Sequence, residues 1–368
     1  MTTLTRAHNE WAKRRDDERF ASLAAIHEAA LADRAEALTP DTDYRLSDFR
    51  AVAHGDTLKL VGKKGNAADF TNWSFGQFCR EAAAPSTYLA KLPADLAATC
   101  INHGIVANMA SLESADDAKN IRVMMTKAQD GADLKLRSIS SDKYSRIWNA
   151  DLTAKLLELE ARGPWQPAPA AFDGSRGLYL GDRDMFCFMV DSDRRIFETN
   201  QEGGLSRGFF LSNSEVGAQA VRLTTFFYEY VCGNHRVWGA SNVVDVSIRH
   251  VGDIQGKVFV EMLADLRKYA ESSAADDEAR FMRAKQLKLG NDADEVLQKV
   301  YGLRVNGLSQ KTIKAAQKLG EQRADWYGEP NTVWSMAGAL TEIARDMPNA
   351  NDRAGAERAA GKVMDLIF

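Results

Sequence analysis

The apolar positions fall into three regimes along the chain. Near the N-terminus Trp11, Phe20, Leu23, Ala24, Ile26 and Leu31 recur at roughly helical spacing among Ala, Glu, Asp and Arg, and Pro40 stops the pattern. This predicts one or two amphipathic helices. Further on come a strand candidate at Thr57-Leu-Lys-Leu-Val and a helix start at Pro85-Ser-Thr-Tyr-Leu, where proline suits the first turn. Residues 1–115 therefore read as an α-rich region that ends in the polar stretch Glu113-Ser-Ala-Asp-Asp.

From Ile121 to about Val260 the pattern changes to short β-branched and aromatic runs separated by Gly, Asp, Asn and Ser. The runs start at Ile121, Leu134, Leu178, Met185, Gly208, Ala220, Arg236 and Val243. Leu180-Gly-Asp-Arg-Asp-Met185 has the turn chemistry of a hairpin. One helix, Ser145 to Ala161, interrupts the strands. Short hairpin-type connections favour antiparallel pairing, so residues 120–260 read as a β-rich core. Beyond it the helical period returns, with helices expected at Val258–Ser272, Asp276–Leu289, Asp294–Leu303, Gln310–Leu319, Val333–Arg345 and Asp352–Ile367. Ser309 suits an N-cap and Gly320 a helix stop. The expected fold is α+β: a central antiparallel β-rich core flanked by the α-rich N-terminal region and a helical C-terminal region, 261–368.

Composition narrows the function classes. The 47 Lys and Arg against 51 Asp and Glu leave a net charge of −4, which excludes coating nucleic acid through bulk charge and leaves only local basic faces. One such face is suggested by residues 280–320, where nine basic residues meet three acidic ones. No apolar run approaches the ~18 residues that span a bilayer, and Met1-Thr-Thr-Leu-Thr-Arg has no apolar leader segment. Cys79, Cys100, Cys187 and Cys232 lie far apart. A reduced, cytoplasmic protein without membrane contact is expected.

The chain has no GxxxxGK[ST], strand-linked GxGxxG, HExxH, GxSxG or paired CxxC motif, so the commonest ATPase, dinucleotide, zinc-protease and serine-hydrolase mechanisms lose their usual support. No cofactor is expected. Asp182-Arg-Asp and Asp191-Ser-Asp-Arg-Arg have carboxylates at magnesium-like spacing, but the first lies on the hairpin turn, where Asp is common anyway. Cys232, His235 and His250 suit a zinc triad or a thiolate activated by imidazole. The competing reading has Asn234 and His235 closing a turn, His250 satisfied by hydrogen bonds and Cys232 as a small apolar filler.

A second set suits nucleic acid: Arg137, Lys143, Tyr144, Arg146, Arg207, Arg222, Arg236, Trp238 and Arg249. Guanidinium groups grip phosphates, and aromatic rings stack on unpaired bases. Strand alternation places Arg222, Thr224, Phe226, Tyr228 and Tyr230 on one face, and Trp148 continues the mix of Tyr144 and Arg146. Against this, aromatics on strands usually fill cores and scattered arginines usually face water. In a third reading the basic 280–320 helices make the chain an adaptor that docks a partner protein.

Several stretches together resemble a known family: Leu136-Arg-Ser-Ile-Ser-Ser-Asp-Lys-Tyr-Ser-Arg, Asp184-Met-Phe-Cys-Phe-Met-Val-Asp, Asn213-Ser-Glu-Val-Gly, Val231-Cys-Gly-Asn-His, Arg249-His250, and Thr332-Val-Trp with Leu340-Thr-Glu. They are similar to the phage/plasmid-like protein family catalogued as domain of unknown function number 932, over most of residues 70–345. The resemblance implies mobile-element DNA metabolism, and by fold-level analogy a likeness to ring-forming single-strand annealing proteins. Many members have Asn-Gly where this chain has Asn234-His235, which argues against a family-wide catalytic role for His235. The resulting expectation is a homo-oligomer that binds single-stranded DNA without chemistry and anneals strands or protects recombination intermediates.

Overall fold

The computed structural model describes residues 15–40, 42–112, 114, 118–127, 134–169, 177–196, 205–229, 245–251, 262, 264–266, 268–269, 275–345, 347 and 350–367. The fold is α+β, and the described residues form two sheets with helices toward both ends of the chain.

The first sheet is mixed. Its strands are β1 (Ala37–Leu38), β2 (Tyr44–Arg45), β3 (Phe49–His54), β4 (Thr57–Gly62), β5 (Ala67–Phe70), β6 (Asn120–Lys127) and β7 (Leu134–Ser141), in the order β1-β6-β7-β5-β4-β3 with β2 also on β6. The β5–β7 pair is parallel. One face carries Phe49, Leu60, Val123, Leu136 and Ile139 and packs with Phe78 and Ile101. Those two come from helices α2 (Asn72–Glu81) and α4 (Ala94–Ala110). Between them lies the short α3 (Ser86–Leu89), and α1 (Leu23–Glu36) precedes the sheet.

The described part of residues 1–115 is rich in helix, as expected, and supplies five strands besides, of which the sequence reading anticipates only β4. These strands are two to six residues long, and Ala51, Ala53, Ala67 and Ala68 occupy positions where β-branched residues would give a readable strand signal.

The second sheet is antiparallel. It contains β8 (Trp165–Pro167), β9 (Leu178–Leu180), β10 (Met185–Ile196), β11 (Leu205–Asn213), β12 (Val221–Glu229) and β13 (Asp245–Ile248), in the order β13-β12-β11-β10-β8 with β9 also on β10. The expected hairpin joins β9 to β10, where Leu180 pairs with Met185 and the Gly181 amide donates to the Asp184 carbonyl at 3.0 Å. Both faces are buried. Met185, Cys187, Met189, Phe209, Leu223 and Phe227 belong to the large core, whereas Phe186, Phe188, Val190, Phe210 and Phe226 form a second apolar cluster. Double burial explains why Met185-Phe-Cys-Phe-Met-Val shows no polar alternation.

The large core is closed by α1, by α5 (Asn149–Arg162) and by the C-terminal helices α6 (Ala275–Gln286), α7 (Ala293–Tyr301), α8 (Gln310–Gln322), α9 (Ala324–Tyr327), α10 (Val333–Arg345) and α11 (Ala350–Met364). Phe281 of α6 makes edge-on contacts with Phe227 of the sheet (4.9 Å) and Trp334 of α10 (5.5 Å), tying the layers together. Ser309 caps α8 as expected, accepting from the Thr312 amide at 3.1 Å. Gly320, however, is not a stop. It lies inside α8, where an added Cβ would come within 2.6 Å of Ser335 Oγ, so glycine serves the close approach of α8 to α10. Among the described residues no helix is long and apolar enough to cross a membrane.

Candidate nucleic-acid interface

The chain leaves β7 at Ser141, turns at residues 142–143, where the Tyr144 amide donates to the Ser141 carbonyl at 3.1 Å, and runs on without helix to Trp148 before α5 begins, rather than starting a helix at Ser145. This segment is held on one side by His250. The Ser145 amide donates to the His250 carbonyl at 2.9 Å, His250 Nδ1 lies 3.1 Å from the Ser145 carbonyl, and the imidazole stacks on the Tyr144 ring at 5.0 Å and 18°. Burial, and then the charge of Arg146, lowers the His250 pKa from its ordinary value, so the neutral ring is favoured.

On the other side stands Asn213-Ser-Glu-Val-Gly. Tyr144 Oη donates to the Ser214 carbonyl and Arg146 Nε to the Glu215 carbonyl, each at 2.9 Å. Asn213 Nδ2 donates to the Ile147 carbonyl at 2.9 Å and to Asn149 Oδ1 at 2.8 Å. The Asn149 amide, at the start of α5, donates to Glu215 Oε1 at 2.7 Å. No side chain at Trp148 caps α5, so this remote carboxylate satisfies an orphan amide at its N-terminus. The Val216 carbonyl accepts from Trp73 Nε1 (2.9 Å) and Gln77 Nε2 (3.0 Å), while Gln77 Oε1 accepts from the Ile139 amide of β7. Gly217 completes the turn with φ of +79°, a conformation that favours glycine. This five-residue motif therefore joins the end of β11 to both the first sheet and α5.

The segment it positions lines a pocket of about 310 Å³. The lining includes Arg122 on β6, Ser140 on β7, Thr39 and Ser145, together with Tyr144, Arg146 and Trp148. Arg122 and Ser140 are direct cross-strand partners, which puts both on one face of the first sheet. The Arg146 guanidinium carbon lies 5.8 Å from the Tyr144 ring centroid and 5.4 Å from that of Trp148. Arg34 of α1 lies 5.3 Å from the Trp148 ring. Burial lowers the Arg146 pKa from its ordinary value, and the like charges of Arg137 and Arg122 act in the same direction. Arginine stays protonated throughout the working range, so the pocket concentrates positive charge.

Carboxylates balance part of it. Arg122 Nε donates to Asp43 Oδ1 at 2.9 Å, and Arg34 Nη1 to Asp151 Oδ1 at 2.8 Å. Behind the segment, buried Glu215 has a pKa raised by desolvation, against which the Asn149 amide and Arg137 work.

Of the residues expected at a nucleic-acid surface, the structure gathers Lys143, Tyr144, Arg146 and Arg249 around this segment, with Lys143 and Arg249 exposed. Arg137 is buried instead, its Nη1 3.7 Å from Asp33 Oδ2 and 4.0 Å from Glu215 Oε2. Arg207 is also internal. Its Nε and Nη2 reach Asp277 Oδ2 at 3.0 and 2.7 Å, and its Nη1 donates to the Tyr269 carbonyl at 3.1 Å. Arg207 neutralises the buried Asp277, and Arg137 lies between half-buried Asp33 and buried Glu215, so neither forms part of a phosphate-gripping surface.

Arg222 opposes Ser212, five positions from Arg207 on β11, so alternation puts it on the opposite face of the second sheet from Arg207. Thr224 and Phe226 of the aromatic strand face are buried. Arg236 and Trp238 lie outside the described residues, as do Cys232 and His235 of the alternative catalytic set. The third member, His250, is the buried ring stacked on Tyr144. Among the described residues no group of three or more His, Cys, Asp or Glu side chains is arranged to hold a metal ion.

Arg34, Thr39, Arg122 and Ser140 were not singled out from the sequence. The outward position of Arg122 is readable from the alternation of Ile121-Arg-Val, but its pairing with Ser140 and its approach to the 144–148 segment are not.

A family model described as a domain of unknown function (DUF932) matches residues 137–360, more than half of the chain. The chain belongs to this family. The matched DUF932 region opens at Arg137 and contains both the pocket segment 144–148 and the Asn213–Gly217 motif that positions it. No curated protein and no solved structure matches the chain.

Proposed function

We propose that the chain binds single-stranded nucleic acid, with a backbone phosphate seated in the pocket between Arg122 and Arg146. The observation that carries this reading is Arg146, positioned by the Tyr144 and Trp148 rings beside Arg122 and the hydroxyls of Thr39, Ser140 and Ser145. An entering phosphate offsets the mutual repulsion of the arginines, and the hydroxyls donate to its oxygens. A concave pocket of this size favours a flexible strand over a rigid duplex.

The role of the rings differs from base stacking. Tyr144 is already stacked on His250, and Trp148 already carries Arg34 and Arg146. In this account the rings hold guanidinium groups ready for phosphate, which lowers the ordering cost of binding. Strand annealing, protection of recombination intermediates and homo-oligomerisation extend the same proposal and rest on the family resemblance.

The test is fluorescence anisotropy with matched single-stranded and duplex oligonucleotides between about 50 and 200 mM salt, followed by annealing of complementary strands. Tighter, salt-sensitive binding of the single strand supports the reading. Absence of binding at the lowest salt overturns it. Saturation by a free mononucleotide with no gain from chain length identifies a small-molecule phosphate site instead.

A further inference from the structure

From Val296 to Gly320 the chain carries five cationic residues and no acidic one, although the protein as a whole has a net charge of −4. All five, Lys299, Arg304, Lys311, Lys314 and Lys318, are exposed. Three of them belong to α8. At 1.5 Å and 100° per residue, Lys311, Lys314 and Lys318 fall within an arc of about 60° and span about 10.5 Å along the axis. They form a single stripe, opposite the buried side carrying Ile313, Ala316 and Gln317. None of the three meets a carboxylate among the described residues, unlike Lys63, Lys135, Lys155 and Lys288, which lie against Asp48, Asp182, Glu158 and Glu329.

We propose that this stripe is a second nucleic-acid contact, separate from the pocket, along which the sugar-phosphate backbone of a strand runs. Three ammonium groups over ~10.5 Å stand about 5 Å apart on average, of the same order as the phosphate spacing along one strand, about 3.4 Å of axis per phosphate in a duplex. The character of the rest of the exposed face selects the partner. Besides the lysines it presents Gln310, Ala315, Glu321 and Gln322, with no aromatic or large aliphatic side chain. A protein interface draws its energy from buried aromatic and arginine anchors, which this face lacks, whereas a polyanion track needs only mobile point charges. Glu321 marks the end of the track at the last turn of the helix.

The proposal shares only its ligand class with the pocket reading, and its test separates the two. The full-length triple variant Lys311→Gln, Lys314→Gln, Lys318→Gln is compared with wild type and with Arg146→Gln for binding of a labelled oligothymidine across a salt series. Removing three phosphate contacts lowers the slope of log K against log salt by about 2, so the affinity lost between about 50 and 200 mM salt shrinks by a factor of roughly 20. An unchanged slope in a triple variant that melts like wild type overturns the stripe. A lowered slope with no effect of Arg146→Gln keeps the stripe and removes the pocket. Binding of labelled poly-glutamate that the triple change abolishes, with the oligothymidine affinity and slope left at wild type, assigns the face to an acidic protein and also overturns the proposal. Failure of wild type to bind any oligonucleotide removes both readings.

Discussion

Arg146 places its guanidinium carbon 5.4 Å from the centroid of the Trp148 ring, two residues further along the same segment. This contact fixes where the charge stands in the pocket before any ligand arrives. A cation–π contact at a partly exposed site is worth about 0.5–1 kcal/mol. Trp148→Leu is therefore expected to weaken single-strand binding about two- to fivefold by anisotropy, with the salt slope unchanged because no phosphate contact is removed. A drop in slope equal to that of an arginine variant would contradict this role for the ring.

Glu215 links the same segment to α5 through the Asn149 amide and, through its carbonyl, to Arg146. Glu215→Ala removes the acceptor at the start of α5 and leaves Arg137 with one fewer buried counter-charge. Loss of a helix cap alone costs about 0.5–2 kcal/mol. Urea unfolding is expected to show at least that loss for Glu215→Ala and a smaller one for Glu215→Gln, whose amide oxygen still accepts from Asn149. Equal stability of both variants and wild type would contradict the capping role.

The first and second sheets were not equally legible in the sequence. Hairpin chemistry at Leu180 to Met185 and the dense apolar runs of β10–β12 identify their strands because both faces are buried. The strands β1, β2, β3, β5 and β8 were missed, since two- and three-residue bridges, alanine-rich pairs and a proline-rich stretch carry almost no periodic signal. Arg146 and Tyr144 were readable as candidates from their chemistry alone. Arg137 and Arg207 were equally readable as cations, but their fate depends on Asp33 and Glu215, and on Asp277, carboxylates distant in sequence. Burial of a charge is decided by such long-range pairs, which local pattern does not encode. The Asn213–Gly217 motif stood out as a family mark, and only the fold shows that its atoms join the two sheets and cap α5.

The Arg207–Asp277 pair gives a direct stability test. Both side chains are buried, and removing one partner of a buried ion pair typically costs about 3–5 kcal/mol, because the other charge is stranded. Asp277→Ala is expected to lower the unfolding free energy by that order. The double change Arg207→Met with Asp277→Leu is expected to recover most of it. Full stability in Asp277→Ala would show that Arg207 is not confined to this pair.

A pH dependence follows from His250. Burial, followed by the nearby Arg146 charge, lowers its folded-state pKa below the ordinary 6.5, while the hydrogen bond with Ser145 works the other way. The unfolded chain therefore takes up a proton at a pH where the folded chain does not. The stability tied to the neutral ring is complete above 6.5 and is lost as pH falls through the depressed folded value. Melting temperatures measured from about pH 7 down to about pH 5 are expected to fall more steeply for wild type than for His250→Gln. Parallel curves would contradict this assignment.

The central claim is that Arg122 and Arg146 together hold a backbone phosphate of a single strand. It is tested most directly by anisotropy titration of a single-stranded oligonucleotide with the double variant Arg122→Gln, Arg146→Gln, across a series from about 50 to 200 mM salt and with melting curves on the same samples. The double variant is expected to lose at least about tenfold in affinity, ~1.4 kcal/mol, with a smaller salt slope and a retained cooperative melt. Affinity and slope equal to wild type in a folded double variant would contradict it.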